Sequence, residues 1–145
     1  MTKKIVIKEA VHEAIFERES LLSQMVRYGR YCTVMWVHGS EITAPTAGTT
    51  LVSKTVSNDR WGYIHGFIIS ATESNTFKIL WNCGSAIYTI RIVLNAAGTM
   101  IYTSPVPLNE GMAASAETAI KIVNVNPGSA ESVYQASLLY VEWPP

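Results

Sequence analysis

TFKILWNCGSAIYTIRIVL, residues 76–94, is the stretch on which the fold turns. Phe77, Ile79 and Trp81 alternate along one face of its first arm, and Ile90, Ile92 and Leu94 along one face of its second. A two-residue period of this kind belongs to strands half-buried against a core. Between the arms, Asn82-Cys83-Gly84-Ser85 supplies turn chemistry, with Gly84 free to take a positive φ. The stretch therefore predicts a β-hairpin.

Reading outward, residues 61–72 alternate as well. Trp61, Tyr63, His65, Phe67 and Ile69 are expected to face one way, and Gly62, Ile64, Gly66, Ile68 and Ser70 the other. The two glycines within this strand mark a bulge or close packing. The turn at 95–98 leads into a strand over 99–103. Residues 119–126 alternate around Ile120 and Ile122, the turn at 126–129 follows, and 133–142 reads as the closing strand. Before the hairpin, 31–38 and 51–56 are β-branched or aromatic, separated by the polar loop 39–50 and followed by the turn at 57–60. About eight strands at regular spacing argue for a sandwich or closed barrel over alternating β-α units. Eight strands with a few long crossings suggest a jelly roll, with an up-and-down barrel as the alternative.

The N-terminal part reads differently. Residues 3–7 read as a short extended arm. From 9 to 27, Val11, Ala14, Ile15, Leu22, Met25 and Val26 recur at three- and four-residue spacing, opposite Glu9, Glu13, Glu17, Ser20 and Gln24. That spacing predicts one amphipathic helix, acidic at its start and followed by Arg27 and Arg30, with Gly29 as its stop. The chain thus divides into an arm and helix over 1–29 and a mainly β sandwich over 30–145.

Composition bounds the function. In 145 residues, 48% are apolar and 15% charged, with 11 basic and 11 acidic side chains. Typical domains carry about 25% charge, so either other subunits cover part of the surface or a Ser/Thr/Asn-rich exterior replaces charge. Zero net charge offers no field to steer a polyanion, so no nucleic-acid partner is expected. No apolar run reaches membrane-spanning length, and none suits a signal peptide. No membrane partner is expected, and synthesis is expected in a host cytoplasm. Cys32 and Cys83 read as free thiols, since a domain of this size needs no disulfide framework.

No catalytic pattern emerges. Asp59 is the single aspartate and sits in a turn, while no spacing pairs Glu41, Glu73, Glu110 or Glu131 as acid and base. His12, His38 and His65 are scattered, with no HxH or CxxC, so neither a metal nor a cofactor is expected. Phosphate-binding glycine motifs are missing. A hydrolase using Cys83 with His65, or a glutamate pair, stands as the weakest enzymatic option. Arg27-Tyr28-Gly29-Arg30-Tyr31 interleaves basic and aromatic residues, but a helix-to-strand corner explains it equally well.

Interaction features remain. The loop Ser104-Pro105-Val106-Pro107-Leu108-Asn109-Glu110-Gly111-Met112 is apolar and stiffened by two prolines, which lowers the ordering cost of binding. It either caps the sandwich or contacts a partner. From 77 to 142 the order of elements resembles small jelly-roll proteins of virus particles, especially auxiliary or decoration proteins of tailed-phage capsids. The residues that carry the likeness are Tyr88-Thr89-Ile90-Arg91-Ile92, Gly98-Thr99, the loop at 105–111, and Ser132-Val133-Tyr134-Gln135-Ala136-Ser137-Leu138-Leu139. It covers about half the chain; the helical segment at 9–27 departs from a simple strand-like arm. The resemblance implies a non-enzymatic virion protein, commonly a homotrimer, that stabilises a shell against the viral capsid protein. On that reading Arg27, Arg30, Val106, Leu108 and Met112 are the expected contact residues. The alternative is a carbohydrate-binding module or receptor-binding virion tip using exposed Trp61, Tyr63 and His65.

Overall fold

The computed structural model describes residues 32–108 and 110–143. The expected helix over 9–27, with Arg27 and Arg30, lies outside them. The strands run, in chain order, β1 (Thr33–His38), β2 (Ile42–Thr43), β3 (Thr50–Thr55), β4 (Trp61–Ala71), β5 (Asn75–Cys83), β6 (Ala86–Leu94), β7 (Gly98–Thr103), β8 (Met112–Ala114), β9 (Ala119–Asn124) and β10 (Val133–Trp143). They form two antiparallel sheets in a sandwich. One runs β1-β10-β4-β7, with β2 added against β10 and β8 against β4; the other runs β3-β9-β5-β6.

The hairpin forms as its sequence dictates. β5 and β6 pair in unbroken register from Asn75 opposite Leu94 to Cys83 opposite Ala86. Gly84 turns the chain with a φ of 60°. Its alternating residues Phe77, Ile79 and Trp81 join Ile120 and Ile122 of β9 and Ile64, Ile69, Leu138 and Tyr140 of the facing sheet in one core. Buried Tyr134 edges onto Phe77, and its hydroxyl accepts from Asn75 Nδ2 at 2.7 Å and donates to Glu73 Oε1 at 2.8 Å. A buried phenol is tolerated when its oxygen is so satisfied.

Two departures from the sequence reading shape the other sheet. First, β4 does not alternate throughout. Leu139 pairs with Gly66 and Tyr140 with Ile64, so His65 is left opposite no residue of β10. The bulge switches faces: Phe67 and Ile69 enter the main core, while Tyr63 packs on the opposite side of the sheet. Second, the connection over 104–117 is not all loop, since β8 lies within it. β7 pairs with β4 from Gly66 to Ala71, and β8 takes up the same edge from Gly62 to Ile64. The chain between them straps across His65.

The strap covers an apolar outer face. Leu138-Leu139-Tyr140-Val141 is apolar on both sides of β10, and such a strand needs cover on both. Leu108 supplies it, forming a second small core with Cys32 and Val141, packed on by Val34, Tyr63 and Trp143.

Candidate interaction surface

Of the expected contact loop, Leu108 turns inward, while Pro105, Glu110 and Gly111 are exposed. Leu108 is fully buried in the second core, where it packs within its own chain. Its carbonyl accepts from Trp143 Nε1 at 2.7 Å and from His65 Nε2 at 3.2 Å. Met112 pairs with Ile64 and packs half-buried against the main core, and Val106 is half-buried in the strap.

The aromatic platform is also reordered. Trp61 is exposed, Tyr63 is half-buried in the second core, and His65 is inaccessible beneath the strap. The bulge and the arched loop together remove His65 from any ligand-facing row. Because a carbonyl can only accept, Nε2 carries the proton in the bond to Leu108, and Nδ1 has no hydrogen-bond partner.

Burial pushes the His65 pKa below its ordinary value, opposed by the hydrogen bond to the Leu108 carbonyl. The folded protein therefore resists a proton that the unfolded chain accepts below about pH 6.5, so stability falls as pH drops through that value. The separate loss tied to Glu73, whose carboxylate is held low by the Ser129 amide and Tyr134 hydroxyl, sets in only as pH falls into the ordinary carboxylate range and completes below it. His65→Gln is expected to flatten the melting temperature between pH 7 and 5 relative to wild type, measured by circular dichroism. Parallel curves for the two proteins would contradict the assignment.

No cluster of three His, Cys, Asp or Glu side chains able to hold a metal occurs among the described residues. Cys32 is buried and Cys83 is half-buried. His38 Nδ1 is engaged with Ser137 Oγ at 2.8 Å.

The unusual surface lies at β6 and β7, which sequence reasoning did not single out. β6 is the last strand of its sheet and β7 the last of the other, joined by three residues, so both border the same open side of the sandwich. On β6, Ile87 is 72% exposed and Val93 51% on the outer face, while Tyr88 and Ile90 are also exposed on the core-facing side. On β7, Ile101 is 67% exposed and Tyr102 is exposed beside Phe67, onto which its ring stacks at 5.5 Å. Tyr88 likewise stacks on Trp81 at 5.6 Å. These stacks hold two aromatic lips open, one on each sheet. The signal in the sequence was there: Ile87 and Val93 fall on the outward face of Ala86–Leu94 beside Thr89 and Arg91, and an exposed edge strand normally avoids large apolar residues there.

No protein-family model matches this chain, and no curated protein does.

Proposed function

We propose that the chain is a non-enzymatic structural subunit, a jelly-roll auxiliary protein of a virion shell that works by burying apolar strand edges against other protein subunits. The observation that carries the reading is the apolar edge of β6 and β7, which no strand among the described residues covers. Contiguous exposed apolar surface of this kind marks a protein-contact site.

The strand order supports the jelly roll. Four long strands lie in each sheet, the first sheet joining the beginning and end of the fold with its middle (β1-β10-β4-β7) and the second doing the same (β3-β9-β5-β6). The resemblance over 77–142 points the same way. In this reading the partners are further copies of the chain and a capsid protein, and no cofactor takes part. Copies already joined through these edges meet a repeating shell together, which multiplies their affinity for it. Val106 and Met112, with Arg27 and Arg30, are secondary contacts to the shell.

Native mass by light scattering across a concentration series tests the reading. A stable oligomer is the expected result. A monomer at every concentration would contradict it, and a glycan panel probing exposed Trp61 would then be the next experiment.

A further inference from the structure

We infer that the occupant of the open edge is a second copy of this chain, paired antiparallel through β6 about a two-fold axis at Ile90, which fuses two four-stranded sheets into one of eight. The inference rests on the assembly reading above and names the partner and register of that same surface.

The edge calls for cover. Natural sheets protect exposed edges with charge, proline, bulges or short length. β6 has nine residues in unbroken register with β5, no proline, and Arg91 as its one charge. Among the described residues no strand pairs with its outer side.

The strand is complementary to itself. Ile90 is the midpoint of Ala86–Leu94, so a two-fold axis there overlaps the strand over its full length. Ile87 then faces Val93 of the copy, and Tyr88 faces Ile92. Arg91 faces Thr89, whereas an axis at Arg91 would set like charges directly opposite, which is destabilising. Residues directly opposite in an antiparallel pair lie on the same face of the sheet. The register therefore places both sandwiches on one side of the joined sheet, with their core-facing lips together.

The lips argue for a whole second domain over a single added strand. Tyr88 and Ile90 belong to one sheet, and Tyr102 to the other, about 10 Å away across the sandwich. An extended peptide on β6 spans one strand spacing of about 4.8 Å and leaves the Tyr102 lip open. A second copy brings two lips at the same separation and closes both.

The test uses the full chain. Sedimentation of wild type is expected to show two protomers, and the double variant I87E/V93E, altered only at outward exposed positions, one protomer with the wild-type circular dichroism spectrum. In a Cys83→Ser background, Ile90→Cys is expected to form a disulfide-linked dimer on mild oxidation. Thr89→Cys is expected not to, because residue 89 faces residue 91 of the copy. The inference is overturned if I87E/V93E keeps the wild-type mass, if the two cysteine variants cross-link alike, or if wild type contains three protomers; in each case the assembly reading survives. A wild type that stays monomeric overturns that reading itself, and this inference with it.

Discussion

Gly66→Ala is expected to destabilise the protein by about 3 kcal/mol, at the upper end of what overpacking a close contact costs. A methyl group at this position would overlap the backbone carbonyl oxygen of Tyr102 and stand 3.3 Å from Thr103 Cα and 3.4 Å from Leu139 Cβ. Two of these three neighbours are backbone, so no rotamer change relieves the overlap, and β7 must move away from β4. Denaturant unfolding should show the loss, and hydrogen exchange should show β7 opening first. Gly84→Ala is the control: nothing lies within 4 Å of a methyl there. Its cost is confined to the positive φ, roughly 1–2 kcal/mol. Equal stability of Gly66→Ala and wild type would mean that β7 does not approach β4 as described.

Leu108→Ala is expected to cost about 3 kcal/mol, within the range for emptying a fully buried leucine site. For a domain of this size that corresponds to a fall of roughly 10 °C in melting temperature. The effect should fall on stability alone. Leu108 packs on Cys32 and Val141 of its own chain and not on the β6–β7 edge, so native mass should stay that of wild type. A variant that melts normally but loses its oligomeric mass would restore Leu108 to the contact role read from the sequence.

These two positions show where the sequence was informative and where it was not. The glycine at 66 was read as a mark of a bulge or close packing, and both occur there. The hairpin over 76–94 was legible because a turn with Gly84 and two alternating arms leave one register open. The β4 face assignment failed past His65 because the bulge is set by β10, a strand more than sixty residues away. The strap was read as open between two roles because nothing local in Pro105-Val106-Pro107-Leu108 shows that β10 has an apolar outer face. The clue lay elsewhere, in the consecutive apolar residues 138–141. β8 was hidden for the same reason: three residues, Met-Ala-Ala, become a strand only because β7 leaves part of the β4 edge unpaired.

The candidate surface was missed through a different habit of reading. The aromatic residues that invite a ligand role in the sequence are Trp61, Tyr63 and His65, all on β4 and none on β6 or β7. The more telling feature was a strand whose outward face carries Ile87 and Val93 beside Thr89 and Arg91. Burial of both faces is ordinary for a central strand, but β6 lies at an edge, and only the sheet order makes its apolar outer residues anomalous.

The native mass of the full chain, followed by light scattering as concentration rises, tests most directly whether this protein works through contacts between protein subunits. The account predicts an assembly, with twice the 15.9 kDa of one chain as the expected unit. A mass of 15.9 kDa at every concentration would contradict it, leaving the apolar edge of β6 and β7 without the role assigned to it.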